Sequence, residues 1–123
     1  MKVAIPHWQG RVSPVFDVAA HVLVIDVEDG LERARQDVVF DVEDFEVRAA
    51  RLVQTQAKVL ICGAISWPLE TALSAAGIEV ISQICGDVEQ VLAAFLGGRL
   101  QQGAFLMPGC CGRRRQLRGR RRR

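Results

Sequence analysis

The feature that most narrows the choice of fold is a run of five residues, Lys58-Val59-Leu60-Ile61-Cys62, apolar after its first position and stopped by Gly63. A strand without polar alternation has no face to show to water, so it belongs inside a sheet covered on both sides. The flanking segments read as helices. Before the run, Phe45, Ala49, Leu52, Val53 and Gln56 recur at helical spacing behind Asp44, a good N-cap, which predicts a helix over 44–57. After it, Ser66 is placed to cap and Pro68 fits a first turn. Leu69, Ala72, Leu73 and Ala76 form the inner stripe, and Gly77 ends it. A second short strand is expected over 78–81. Asp87 with Gln90 resembles a capping box, and Val88, Val91, Leu92, Phe95 and Leu96 then face one way until Gly97-Gly98. Strands that alternate with helices run parallel and are joined by right-handed crossovers.

The opening third has a different rhythm. Residues 2–6 alternate and meet Pro6, which suggests a strand running into a loop; residues 15–20 allow one short helical turn. Residues 22–27 are dense in β-branched side chains and close on Asp29-Gly30, a hairpin signal, so a third strand is placed between residues 32 and 42. If the first strand is central, the fold class is α/β: a five-stranded mixed sheet ordered 3-2-1-4-5 with helices on both faces, the ribonuclease H-like arrangement.

At 123 residues and half apolar, the chain fits one packed domain, expected over 1–108. Residues 109–123 read as a flexible tail holding Cys110-Cys111 and eight arginines. Without the tail arginines, eight basic residues face fourteen acidic ones, so the body carries about −6. No apolar run approaches the roughly 20 residues that span a bilayer, and Pro6 and His7 interrupt any secretory h-region, which points to the cytoplasm. There the four cysteines are expected as thiols for core packing, metal ligation or redox chemistry, and no structural zinc spacing is present.

Three stretches carry a resemblance: Gly10-Arg11-Val12-Ser13-Pro14-Val15-Phe16-Asp17, residues 60–81 and residues 86–100. Together they resemble the dinitrogenase iron–molybdenum cofactor biosynthesis family, which includes nitrogenase accessory factors and the small orange-protein type. The resemblance implies a ribonuclease H-like fold and a non-catalytic role in binding, storing or delivering an iron–molybdenum or other metal–sulfur cluster, with cluster donor or acceptor proteins as partners. Many members carry His-Phe-Gly after the first strand, and that histidine is a favoured cluster ligand. Here the matching positions read Val15-Phe16-Asp17, so that ligand is missing.

Ligands of open α/β sheets sit beyond the carboxyl ends of parallel strands. His7, Cys62 and Cys85 fall at or just after those ends, and thiolates with an imidazole suit copper, iron and molybdenum–sulfur species. Cys62 reads equally as a small core residue, and His7 as an exposed loop residue. Cys110 and Cys111 are followed by three arginines, which favour thiolate, so they are metal-ligand candidates too. Gly63, Ala64 and Ser66, at the start of the second predicted helix, offer backbone N–H groups to an anionic cluster, and Arg11 is grouped with them. Ordinary helix capping accounts for the same residues. Trp8 and Trp67 are placed to wall such a site.

Two other classes compete. A nuclease on such a sheet needs carboxylates to hold two metals, and the first strand offers none. The arginine tail makes a polyanion or nucleic-acid binder the alternative, although no aromatic residue is interleaved there for base stacking, so nucleic acid is the lesser expectation.

Overall fold

The computed structural model describes residues 1–41 and 44–98. Six strands form one mixed sheet: β1 (Lys2–Trp8), β2 (Arg11–Val12), β3 (His21–Glu28), β4 (Leu31–Val39), β5 (Ala57–Ile61) and β6 (Glu79–Ile81). Its order is β4-β3-β1-β5-β6, with β2 paired to β1 off that path. β1 is antiparallel to β3 and parallel to β5, and β5 is parallel to β6. The described residues also form three α-helices, α1 (Phe45–Gln54), α2 (Trp67–Ala75) and α3 (Val88–Leu96).

Alternation along the strands sorts the core into two layers. Ala4, Val22, Val24, Leu60 and Cys62 lie under Ala49 and Leu52 of α1 and Leu69 and Leu73 of α2. Val3, Ile5, Ile25, Val59 and Ile61 lie under Val91 and Leu92 of α3. Asp44 caps α1 by accepting from the amides of Glu46 and Val47, and Asp87 caps α3 by accepting from Glu89 and Gln90. No helix among the described residues is long and apolar enough to cross a membrane.

The sheet departs from expectation in two places. It has six strands, not five, because β2 pairs Arg11 with Trp8 and Val12 with His7. Moreover, β1 does not end at Pro6 but runs through it to Trp8. Pro6 is tolerated because β5 leaves β1 after Ala4 and β2 arrives only at His7; between them the Pro6 carbonyl accepts from Ser13 N at 2.9 Å. On the edge strand β4, Asp26 opposes Ala34 while Val27 opposes Glu32, which makes Arg33 an extra residue. That bulge returns Glu32 to the face of Arg35. There Arg35 pairs with Glu32 and with Glu89 of α3, tying the hairpin to the helix.

Candidate functional site

At the carboxyl ends of β1, β5 and β6 three loops are sewn together by backbone hydrogen bonds. Ala64 N donates to Pro14 O and Phe16 N to Ala64 O, both at 2.8 Å; Val12 N donates to Gly86 O and Val88 N to Gly10 O, both at 2.9 Å. Gln83 N and Ile84 N return to Gly63 O and Cys62 O at 2.8 and 3.0 Å. Gly63 is required by contact: a Cβ there would stand 2.5 Å from Pro14 O and 2.8 Å from Ser13 O. The result is a rim of loops that support one another.

Asp17 lies in a 3-10 turn, Phe16–Val18, and its Oδ1 accepts from Ser66 N at 2.8 Å. The first orphan amide of α2 is therefore capped by a carboxylate 49 residues away in sequence, and the Ser66 side chain makes no capping bond. Arg48, 1 % exposed, fixes the turn from below: its Nη2 donates to Phe16 O and Ala19 O at 2.6 Å each. Its guanidinium lies 5.1 Å from the Phe16 ring centre and 5.4 Å from that of Phe40. Burial pulls its pKa down, and the charge of Asp17 opposes that.

The candidate residues separate on this frame. Arg11 is exposed on β2, and its backbone bridges to Asp87. Cys85 is half-buried beside the core residue Ile84. Cys62 is fully buried under α2, and burial first, then the charges of Glu70 and Asp17, push its thiol pKa up to about 12. His7 follows the alternation of Val3 and Ile5 and so lies on the opposite sheet face from Cys62. Its Nε2 meets Asp37 Oδ1 at 2.9 Å. His7, Cys62 and Cys85 reach the same edge without forming one ligand set; among the described residues, no three His, Cys, Asp or Glu side chains are arranged to hold a metal ion. The amides of Ala64 and Ser66 are both engaged within the chain. Cys110 and Cys111 lie outside the described residues. Four apolar side chains stand exposed at this rim: Trp8, the last residue of β1, at 62 %, Val15 at 38 %, Val18 at 71 % and Trp67, the first residue of α2, at 76 %. A cavity of about 440 Å³, lined by Lys2, Asp26, Gln56, Lys58 and Gly77, opens at the other end of the sheet, away from these groups.

The family model described as dinitrogenase iron-molybdenum cofactor matches residues 1–98. The chain belongs to the dinitrogenase iron-molybdenum cofactor family. Solved structures agree in fold. The apo form of the orange protein from Desulfovibrio gigas is 28 % identical, covers 80 % of this chain and 88 % of its own, and gives a TM-score of 0.67. A Thermotoga protein provisionally described as NifB is 27 % identical over 80 % and 89 %, with a TM-score of 0.64. A Methanocaldococcus jannaschii protein provisionally described as a dinitrogenase, 23 % identical over 80 % and 90 %, gives 0.68. No curated protein matches the chain.

Within this dinitrogenase iron-molybdenum cofactor fold, the sequence reading overlooked Asp17, Arg48, His21 and Asp37. An arginine inside the apolar stripe of α1 was the available signal for Arg48. His21 and Asp37 lie on strands whose pairing, not whose composition, brings them to His7.

Proposed function

We propose that this chain binds a metal–sulfur cluster of the iron–molybdenum kind at the carboxyl edge of its sheet. It stores the cluster or hands it to another protein, without catalysing a reaction itself. The observation that carries this reading is the family match over residues 1–98, since the family is named for that cofactor. The likeness to an orange protein described in its apo form supports it. The chemistry of the edge agrees: Arg11 offers a cation to an anionic cargo, Cys85 a soft ligand, and Trp8 and Trp67 apolar walls. Cys110 and Cys111, next to arginines that favour thiolate, supply further soft ligands. Cys62 and the amides of Ala64 and Ser66 serve as framework for the rim. The ribonuclease H-like description of the sheet, a cytoplasmic setting, a 1–108 domain with a separate tail, and donor or acceptor proteins as partners belong to the same reading.

Anaerobic incubation of the full chain with tetrathiomolybdate, or with iron and sulfide, tests it by elemental analysis and optical spectrum after desalting. The parent should retain metal; Cys110→Ser with Cys111→Ser should weaken retention, and Cys85→Ser should change the spectrum. Removing residues 113–123 should mainly slow uptake at low salt, because screened attraction acts on encounter more than on the bound state. A parent that retains nothing overturns the cargo. A chain lacking all four thiols that retains it unchanged overturns thiolate ligation.

A further inference from the structure

Where α1 ends over the sheet, a cleft of about 320 Å³ opens between its last turn and strands β1, β3 and β4. The strand register sets its floor. Ala4 opposes Val24, and both pack on the face that α1 covers; Val24 in turn opposes Gln36. Residues two apart on a strand share a face, so Lys2, Gln36 and Val38 stand on that side too. Lys2 thus lines the cleft from the centre of the sheet, Gln36 and Val38 from its edge, and Arg51, Gln54 and Gln56 from the end of α1 and the turn behind it. Lys2 begins β1 and Gln56 precedes β5, which puts the cleft at the opposite end of the sheet from the rim.

The chain has fourteen acidic residues, yet none of those described lines this cleft, while two cations, Lys2 and Arg51, do. Arg51 alone is an ordinary last-turn cation that offsets the carbonyl end of its helix. Lys2 comes from another element and has no such role. Arg51 meets Val39 O at 3.3 Å and Asp41 Oδ1 at 3.4 Å, both through Nη1, which leaves the rest of its planar fork for an oxyanion. Gln56 is a second, independent signal. It follows the C-cap Thr55 with a φ of +67°, in the left-handed region where a helix normally places glycine. A glutamine held there is strained, and its side chain walls both this cleft and the neighbouring 440 Å³ cavity. That cavity is lined by Asp26, which disfavours an anion. In the cleft, three glutamine amides, each able to donate and to accept, stand over an apolar floor of Val24 and Val38. We infer that the cleft binds a nucleoside monophosphate: Lys2 and Arg51 hold the phosphate, and the base lies on the valines with its polar edge toward the glutamines. The volume suits a small-molecule site. The cleft and the proposed cargo edge lie at opposite ends of the sheet, so the two stand or fall separately.

Titration of the full chain with adenosine monophosphate at about 0.15 M salt, followed by nitrogen-15 spectra, reads the cleft residue by residue and separates it from phosphate contacts of the arginine tail. The backbone amides and side-chain NH₂ groups of Gln36, Gln54 and Gln56 should shift and saturate, while the amides of Ala64 and Ser66 stay in place. Inorganic phosphate should act on the same residues about tenfold more weakly. Lys2→Gln with Arg51→Gln should weaken the nucleotide about tenfold or more. Gln56→Gly should also weaken it while holding or raising the melting temperature, which distinguishes a lost contact from a lost fold. Cleft amides of the parent that do not move at millimolar nucleotide overturn the site, and this needs no variant to fold. Unchanged affinity in the Lys2, Arg51 double variant overturns the phosphate assignment, and inorganic phosphate binding as tightly as the nucleotide overturns the nucleoside.

Discussion

Arg48 shows how much a single residue in this fold is asked to do. Its guanidinium satisfies two carbonyls of the Phe16–Ala19 turn from inside the core, and that turn carries the carboxylate which caps α2. Replacing it with leucine keeps the bulk but leaves both carbonyls without their charged donor, so Arg48→Leu should destabilise by about 2–4 kcal/mol. Arg48→Lys should recover little, since an ammonium lacks the planar fork that stacks on Phe16 and Phe40. Urea titrations of the three proteins measure both effects. Cys62 illustrates the limit of reading such residues from sequence. It directly follows β5, a strand covered on both faces, and such a strand gives no sign of which way the next residue points; only the layer it joins decides that. With its thiol pKa pushed up to about 12, Cys62 should resist iodoacetamide at pH 8 in the folded protein and react on unfolding. The pH dependence follows. The unfolded thiol ionises near 9 while the folded one keeps its proton to about 12, so the unfolded chain binds fewer protons between those values and stability falls as pH rises through that window. Melting temperatures from pH 8 to 11 should show a drop that Cys62→Ala lessens.

At the level of elements, legibility followed the length of the repeating pattern. The three helices were readable because apolar residues recur over two or more turns behind Asp44, Ser66 and Asp87, and two of those residues do cap with their own side chains. The third does not: α2 takes its cap from Asp17, a contact across 49 residues that no local signal announces. β2 is two residues long and offers no period at all, and β4, exposed along nearly its whole length, shows arginine, glutamate and glutamine where a half-buried strand would alternate. The bulge at Arg33 was equally hidden, since only pairing with β3 reveals it. Gly63 was legible as a strand stop but not as a point of contact between loops. Both atoms that a methyl group would strike are main-chain oxygens, so nothing flexible can yield. Gly63→Ala should cost about 1–3 kcal/mol, and the amide resonances of Ser13, Pro14-flanking Val15 and Ala64 should shift first in a two-dimensional spectrum.

Taken as a molecule, the chain packs one apolar cluster on each face of a single sheet. The mixed α/β character of the sheet was legible from a doubly covered strand at 58–62 and a hairpin at Asp29-Gly30, whereas its six-stranded pairing, with β2 beside β1, was not. The site was less accessible, because the residues that meet there are brought together by alternation and by pairing across strands rather than by spacing along the chain. One consequence of the rim is optical. Trp8 and Trp67 are the chain's two tryptophans, tyrosine is absent, and both indoles already stand in water at the mouth of the rim while the core holds none. Ultraviolet emission from this protein therefore says little about whether its interior is intact and a great deal about what has arrived at its edge: a coloured, metal-bearing cargo docking there would darken both emitters at once, with no dye attached.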